Sequence, residues 1–229
     1  NNLSGITYGN GLFVAVGDVG TILTSPDSQT WSVQTSGTAK NLYAISSGNG
    51  VVVTAGDAGN ILVSSNANSW ESVTSGSASN LLGLTFASGK FIAVGDLGTI
   101  LSSSNGRNWT SITSGTSQNL SGVTYGNGLF VSVGKSGTLL ISADGSSWSI
   151  VNSGSTNNLS AVVYGNGVYV TVGSGGTILT SATGNSWQTQ SSGSSTKLNS
   201  IAYGNSQFVA IGDSGTVLTS SNGITWGAQ

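Results

Sequence analysis

Short apolar runs alternate with glycine-centred turns along the whole chain. In the first instance of this pattern, runs rich in β-branched and aromatic residues lie at 3–8, 12–16, 21–24 and from Trp31 onward. The turns between them fall at 9–11, 17–20 and 25–29. The first turn reads Gly-Asn-Gly, and Asn-Gly between two apolar runs is a strong signal for a hairpin with positive φ angles. The pattern therefore predicts four antiparallel strands.

The second and fourth runs differ in polarity. The second run reads Phe-Val-Ala-Val at 13–16, Val-Val-Thr-Ala at 52–55 and Phe-Ile-Ala-Val at 91–94, so it is apolar or small on both faces. Such a strand is buried on both sides. The fourth run, for example Trp-Thr-Ser-Ile-Thr-Ser at 109–114, is polar at alternate positions and is expected at the solvent edge. No stretch has the period of a helix, which excludes a helical solenoid.

This pattern repeats with a fixed period. The six tryptophans stand 39 residues apart, at Trp31, Trp70, Trp109, Trp148, Trp187 and Trp226. Alignment on them gives the repeats 2–40, 41–79, 80–118, 119–157, 158–196 and 197–229. Four-stranded sheets repeated around an axis, with the fourth strand outermost, form a β-propeller. We therefore predict an all-β, six-bladed propeller that forms a single domain over 1–229, with each blade contiguous in sequence.

Composition excludes several classes of function. Charged residues make up 5% of the chain, against roughly 25% in ordinary globular proteins, and the net charge is −2. Nucleic acid is therefore not an expected partner, and apolar runs of about five residues are too short for membrane insertion. His, Cys and Met are all absent, so we expect no metal and no cofactor.

The same composition gives an expectation about location. A surface rich in Ser, Thr and Asn, with few charges, favours an extracellular or cell-surface setting of bacterial type. The first repeat begins at Asn2-Leu3 without an initiator Met or a signal segment. We therefore expect the chain to be a piece of a longer protein.

The turn before each tryptophan has a recurring sequence. It reads Ser-Pro-Asp-Ser-Gln-Thr-Trp at 25–31 and Ser-Ala-Asp-Gly-Ser-Ser-Trp at 142–148, and Asn or Thr replaces the Asp in the other repeats. These turns resemble the Asp-box, or bacterial neuraminidase repeat, of sialidases, some glycosidases and photosystem assembly factors. The resemblance implies a propeller in which the aromatic residue is buried between blades. The resemblance implies a structural role, rather than a binding role, for Ser25, Asp27, Trp31, Trp70, Trp109, Asp144, Trp148, Trp187 and Trp226.

Two rings of polar residues are candidate sites. One occupies the turn after the second strand, at Asp18, Asp57, Asp96, Lys135, Ser174 and Asp213. Neighbouring members would stand about 12 Å apart, whereas paired glycosidase carboxyls need about 5–9.5 Å, so these residues are turn formers or a weakly acidic face for a partner. The other ring precedes the innermost strands, at Asn2, Asn41, Asn80, Asn119, Asn158 and Lys197. It is either a binding site at the channel mouth or a set of turn residues.

Three classes of function remain. An enzyme is disfavoured, because a sialidase uses three arginines and a Tyr–Glu pair, whereas this chain has only Arg107 and Glu71; we predict no catalytic residues, with a glycosidase-related enzyme as the remote alternative. A lectin-like propeller with repeated neutral pockets is the main alternative. We favour a non-catalytic scaffold of a secreted or cell-surface protein, with protein, glycan or a second copy of the chain as partner.

Overall fold

The computed structural model describes residues 1–229. It contains six four-stranded antiparallel sheets, each built from consecutive strands. Blade 1 consists of β1 (Leu3–Gly9), β2 (Leu12–Gly17), β3 (Ile22–Ser25) and β4 (Ser32–Gln34). Blade 2 consists of β5 (Leu42–Gly48), β6 (Val51–Gly56), β7 (Ile61–Ser64) and β8 (Glu71–Val73). Blade 3 consists of β9 (Leu81–Ala87), β10 (Lys90–Gly95), β11 (Ile100–Ser103) and β12 (Thr110–Ile112).

The second half of the chain repeats this order. Blade 4 consists of β13 (Leu120–Gly126), β14 (Leu129–Gly134), β15 (Leu139–Ser142) and β16 (Ser149–Ile150). Blade 5 consists of β17 (Leu159–Gly165), β18 (Val168–Gly173), β19 (Ile178–Ser181) and β20 (Gln188–Gln190). Blade 6 consists of β21 (Leu198–Gly204), β22 (Gln207–Gly212), β23 (Val217–Ser220) and β24 (Gly227–Ala228). The fold class predicted from the sequence, an all-β six-bladed propeller with contiguous blades, is confirmed.

The chain divides into two compact units, Asn1–Thr113 and Ser114–Gln229. Unit 1 holds blades 1 to 3 and unit 2 holds blades 4 to 6. The single domain predicted for residues 1–229 stays a prediction.

The hairpin turns have the backbone that the sequence predicts. Asn10 has a φ of 53° and Gly11 a φ of 80°, so both central residues of the first hairpin are left-handed. Asparagine and glycine tolerate this region best, which is why they recur at the tip. The Asn10 side chain also donates to the backbone carbonyl of Ser65 in blade 2, at 3.0 Å. The tip residue therefore closes its own hairpin and contacts the neighbouring blade.

The fourth strand begins one residue later than the sequence pattern suggests. Trp31 belongs to the turn, because its indole N–H donates to the carbonyl of Ser28 at 3.2 Å, and β4 starts at Ser32. The outer strands are polar and exposed, as expected for an edge.

Packing between blades forms the core of unit 1. Strand β5 contacts both β1 and β9, and β2 also contacts β5. Val14, Ile22, Leu42 and Val52 from blades 1 and 2 form one fully buried cluster, and Trp70 packs against it. A second cluster joins blades 2 and 3 and is covered by Trp109. Truncating a buried leucine such as Leu42 to alanine would cost about 2–5 kcal/mol.

Unit 2 uses the same packing. The cluster between blades 4 and 5 is covered by Trp187, and the cluster between blades 5 and 6 by Trp226. Tyr169 lies fully buried in the first of these clusters. Its hydroxyl donates to the carbonyl of Gly126, and burial raises the pKa of Tyr169 to about 12. The buried hydroxyl thus has the partner that such a group requires.

Candidate functional site

A single helical turn joins the second and third strands of every blade. These six turns, called here the blade turns, are Asp18–Gly20, Asp57–Gly59, Asp96–Gly98, Lys135–Gly137, Ser174–Gly176 and Asp213–Gly215. The middle residue of each is left-handed, with φ between 48° and 64°. The last residue is a glycine of positive φ, and a Cβ on Gly59 would lie 1.9 Å from the carbonyl oxygen of Ser77. Glycine is therefore required at Gly59 by both conformation and space.

The blade turn and the asparagine before the inner strand form one structure. The backbone N–H of Asp57 donates to the carbonyl of Asn41 at 3.0 Å, and the backbone N–H of Asn41 donates to the Asp57 carboxylate at 3.0 Å. In blade 6 the N–H of Asp213 donates to the carbonyl of Lys197 at 2.9 Å. The two candidate rings thus lie side by side at the same end of each blade.

The asparagine carboxamides also join neighbouring blades. The side-chain oxygen of Asn41 accepts the N–H of Val19 at 2.9 Å, and that of Asn80 accepts the N–H of Ala58 at 2.9 Å. In unit 2, Asn158 accepts the N–H of Ser136 at 2.9 Å. Each bond provides an acceptor in the next blade for the backbone N–H of the middle residue of a blade turn.

The carboxamide nitrogens bind the acidic residues. Asn2 donates to Asp18 at 2.9 Å, and Asn80 donates to Asp96 at 2.9 Å. These contacts use much of the hydrogen-bonding capacity of the ring, since a carboxamide has two donors and one oxygen acceptor. The binding role of Asn2, Asn41, Asn80, Asn119, Asn158 and Lys197 stays a prediction.

Tyr43 is a member of this network that sequence reasoning missed. Its hydroxyl donates to the carboxylate of Asp57. This hydrogen bond raises the pKa of Tyr43 above its ordinary value, because the charged acceptor favours the protonated phenol. The equivalent positions hold serine, leucine or asparagine, so recurrence between repeats gave no signal for this pair.

The middle residues of the blade turns differ between the two units. In unit 1 they are Val19, Ala58 and Leu97, and all three are exposed. In unit 2 they are Ser136, Gly175 and Ser214. A left-handed conformation is unfavourable for a β-branched residue such as Val19, by roughly 1–2 kcal/mol. Unit 1 therefore carries exposed apolar side chains at strained positions where unit 2 carries small or polar residues.

A shallow, open depression lies beside Val19. It has a volume of about 580 Å³, and its lining includes Val19, Thr21, Val33, Thr35 and Ala39. Val19 and Val33 both expose most of their side chains. Gln34, Ser36 and Thr38 also line the depression, so the surface beside Val19 combines apolar side chains with hydrogen-bonding groups.

Charge follows the same division between the units. The blade turns of unit 1 begin with Asp18, Asp57 and Asp96, whereas those of unit 2 begin with Lys135, Ser174 and Asp213. We call the blade-turn end of unit 1, with its three carboxylates and three exposed apolar residues, the turn face. The turn face is acidic and partly apolar.

The turn before each tryptophan is held by its own side chains. In blade 1 the carboxylate of Asp27 accepts the backbone N–H groups of Thr30 and Gln29, both at 2.8 Å, and the hydroxyl of Ser25 at 3.0 Å. These bonds, chiefly that from Thr30, lower the pKa of Asp27. Asp144 accepts the equivalent bonds in blade 4. Asn105 does so in blade 3, because a carboxamide oxygen accepts as a carboxylate does.

The tryptophans are fixed by the same turns. The indole N–H of each donates to the carbonyl three residues earlier, as in Trp148 to Gly145 at 3.4 Å. The rings of Trp109, Trp148, Trp187 and Trp226 lie 6.3 to 6.4 Å from the aromatic residue of the second strand of their own blade.

A groove lies beside one of these tryptophans. It has a volume of about 560 Å³ and is lined by residues including Glu71, Ser72, Thr74, Asn108 and Trp109. Arg107 also lines it and forms an ion pair with Glu71. The groove thus combines an indole with several neutral hydrogen-bonding groups.

The chemistry available to the chain is limited. There is no group of three or more His, Cys, Asp or Glu residues that could hold a metal ion. None of its helices has the length and apolar character required to cross a membrane.

Comparison with known proteins identifies the fold. No family model matches the chain, and no curated protein matches it. The structure of YCF48 bound to D1 peptide is similar, with a TM-score of 0.78 at 17% identity over 99% of this chain and 80% of that one. YCF48 from Cyanidioschyzon merolae gives a TM-score of 0.78 at 16% identity over 99% and 84% of the two chains.

A designed protein is also similar. The computationally designed Ika8 protein gives a TM-score of 0.77 at 16% identity over 96% of this chain and 70% of that one. At these identities the likeness shows the fold, which is that of an all-β propeller.

Proposed function

We propose that this chain is a non-catalytic protein-interaction scaffold of a secreted or cell-surface protein, and that a partner protein binds the turn face of unit 1. The observation that carries the proposal is the set of exposed apolar residues Val19, Ala58 and Leu97, each directly after an aspartate. The partner is a segment that presents basic and apolar side chains.

A comparison of the middle residues of the six blade turns supports a binding role. The backbone of the blade turn is the same in all six blades, so it does not require an apolar middle residue, as Ser136 and Gly175 demonstrate. Val19 and Leu97 nevertheless occupy this left-handed position with exposed side chains. Strain combined with exposed apolar surface is a feature of functional sites.

The inventory of titratable groups supports a non-catalytic role. The carboxylates of Asp18, Asp57 and Asp96 accept hydrogen bonds from side chains of their own blades. Glu71 is paired with Arg107. General acid–base catalysis requires a group poised to exchange a proton with substrate, and these groups are instead engaged in structural contacts. The composition, with 5% charged residues, supports the secreted or cell-surface setting, and the peptide bound by YCF48 is a precedent for protein recognition on this fold.

The proposal is tested with two synthetic peptides, one alternating Lys and Leu and the other alternating Glu and Leu. Fluorescence anisotropy should show that the Lys–Leu peptide binds the wild-type chain more tightly than the Glu–Leu peptide. The double variant Val19→Ser and Leu97→Ser, which gives unit 1 the residues of unit 2, should weaken binding by about tenfold, or ~1.4 kcal/mol.

The matched control removes exposed apolar surface elsewhere. Ile150 and Ile224 are exposed to a similar degree, and the double variant Ile150→Ser and Ile224→Ser should bind as the wild type does. Equal binding of the two peptides, or an equal loss in the control variant, would exclude the turn face as the site.

A lectin-like function is the second candidate, favoured by the groove beside Trp109. Its indole with Ser72, Thr74 and Asn108 around it matches the apolar face and hydroxyl groups of a neutral sugar. On a glycan array the wild-type chain should bind a neutral glycan, and the Trp109→Ala variant should not bind it. An array without binding by the wild type removes this candidate.

A further inference from the structure

The inner strand of blade 1 exposes apolar residues at positions that the other blades bury fully or in part. Leu3 is 53% exposed, whereas the equivalent leucines of the other blades are 0% exposed; these are Leu42, Leu81, Leu120, Leu159 and Leu198. Ile6 and Tyr8 on the same strand are 61% and 59% exposed. In blade 2 the corresponding surface packs on blade 1, through β1 and β5. We call the surface formed by Leu3, Ile6 and Tyr8 the leading face.

Blade 6 exposes the opposite surface. Ile211 is 49% exposed, whereas its equivalents in the other blades are 0% exposed; these are Val16, Ala55, Val94, Val133 and Val172. In blade 5 the corresponding surface packs on blade 6, where Val172 belongs to the shared cluster. We call the surface formed by Gly204, Val209 and Ile211 the trailing face.

The packing between blades within each unit shows how a leading and a trailing face fit. At three of these contacts the last residue of an inner strand is a glycine, and an aromatic ring of the next blade lies over it; between blades 1 and 2, Gly9 meets Ser47 instead. A Cβ on Gly48 would lie 2.0 Å from the ring of Phe86. The same distance is 2.0 Å for Gly126 with Tyr164 and 2.2 Å for Gly165 with Tyr203. The absence of a side chain on the glycine leaves a space that the ring of the next blade fills. We call this space the socket.

The leading face has a ring without a glycine beneath it, and the trailing face has a glycine without a ring over it. A Cβ on Gly204 would have no atom within 4 Å, so the socket of blade 6 is open. Tyr8 occupies the position of the ring in blade 1 and is exposed. The strands of both faces, β1 to β3 and β21 to β23, contain no charged residue, so no buried charge opposes their contact.

We infer that the chain self-associates head to tail, with the leading face of one copy packed on the trailing face of a second copy. Tyr8 of one copy fills the socket at Gly204 of the other. The occupant is a second copy because one chain carries both halves of an interface that its internal blades already form. The contact is heterologous, so repeated addition produces a linear assembly or a closed ring of chains.

A hydrogen bond is expected to accompany this contact. Within the units, hairpin-tip asparagines donate to the turn of the next blade, as Asn49 does to the carbonyl of Ser104 at 3.2 Å and Asn166 to that of Ser221 at 3.2 Å. Asn205 is the equivalent residue of blade 6, and the equivalent acceptor on blade 1 is the carbonyl of Pro26. The inference goes beyond the proposed function, since the turn face takes no part in it.

Blocking one face at a time tests the inference. Ile211→Asp blocks the trailing face and Leu3→Asp blocks the leading face. Because both residues are exposed, neither variant should unfold, and circular dichroism with thermal melting checks this. Sedimentation velocity should show that the mass of the wild type rises with concentration and that each variant self-associates at least about tenfold more weakly.

A mixture of the two variants gives the decisive result. The Leu3→Asp chain retains its trailing face and the Ile211→Asp chain retains its leading face, so the mixture should form a dimer with one copy of each and nothing larger. Ile224→Asp is the matched control, because Ile224 lies on blade 6 and is 54% exposed; it should associate as the wild type does.

Several outcomes would overturn the inference. They are a wild-type mass that stays monomeric at every concentration, blocked variants that associate as the wild type does, and a mixture that remains monomeric. A fall in melting temperature of a monomeric Leu3→Asp chain would assign the leading face to contacts within one chain. None of these results bears on peptide binding by the turn face, which is measured separately.

Discussion

The blade turns of the two units have the same backbone and different side chains. In both units the first residue accepts a hydrogen bond from the residue that follows the turn, and the middle residue is left-handed. Unit 1 places Val19, Ala58 and Leu97 at that middle position, and unit 2 places Ser136, Gly175 and Ser214 there. The constant part of the turn therefore builds the blade, and the variable part gives each unit its own surface.

The largest expected effect tests the shared backbone. Gly59 in unit 1 and Gly137 in unit 2 both have positive φ, and a Cβ on them would lie 1.9 Å and 1.8 Å from a backbone carbonyl oxygen. Replacing either by alanine should lower the free energy of unfolding by about 3 kcal/mol or more, from conformational strain and overpacking together. Urea unfolding of the two variants measures this.

Gly215 of blade 6 is the control for that prediction. Its φ is +72°, but a Cβ there would have no atom within 4 Å. Gly215→Ala should therefore cost only the conformational strain, about 1 kcal/mol. Unequal losses in Gly59→Ala and Gly137→Ala would show that the two units do not share the same turn.

A smaller effect separates the variable residues. Val19 is β-branched and left-handed, with a φ of 54°, whereas asparagine adopts this region readily. Val19→Asn should stabilise the chain by about 1 kcal/mol, which raises the melting temperature by roughly 2–4 °C for a chain of this size.

The reverse substitution tests the same argument in unit 2. Ser136→Val places a β-branched residue at a φ of 54° and should destabilise by about 1 kcal/mol. If Val19→Asn lowered the melting temperature, the strain attributed to Val19 would be offset by contacts of its side chain.

The smallest effect concerns pH and exists only in unit 1. The hydrogen bond to Asp57 raises the pKa of Tyr43 above its ordinary value of 10.0. A raised folded-state pKa contributes stability that is complete below the unfolded value and is lost as pH rises through the folded value. The wild type should therefore lose stability above pH 10.0.

Tyr43→Phe should reduce that alkaline loss, because no phenol remains to ionise beside Asp57. Urea unfolding at neutral pH and above pH 10.0 in both proteins gives the comparison. Burial raises the pKa of Tyr169 to about 12, and this residue is present in both proteins. Its contribution to the alkaline loss is therefore the same in each. An identical alkaline loss in the variant would show that the Tyr43 hydrogen bond contributes nothing to stability.

The fold was predictable because each strand and turn is encoded locally. The Asn-Gly tips specify positive φ at two successive residues, and Asn10 and Gly11 have it. The apolar second run specifies burial on both faces, and Val52 and Val53 are fully buried. The fixed period specifies that the same sheet is made in every repeat.

The candidate site was predictable only in part, because its contacts depend on the offset between blades. Asn41 and Val19 are 22 residues apart, and the sequence gives no sign that a carboxamide reaches the turn of the preceding blade. Tyr43 and Asp57 meet across 14 residues, and blade 6 makes the equivalent contact with a different residue, Asn199 to Asp213, so no repeated residue type marks this pair in the sequence. The sequence placed Val19 in the turn at 17–20, but the pattern of a turn does not show which of its side chains is exposed.

Each sheet of the molecule is drawn from one uninterrupted stretch of sequence. Duplication or loss of one 39-residue repeat at the gene level would therefore add or remove a whole blade with both of its packing faces. No strand would be divided between distant parts of the coding sequence. Blade number in such a protein can change by ordinary unequal recombination, one complete blade at a time.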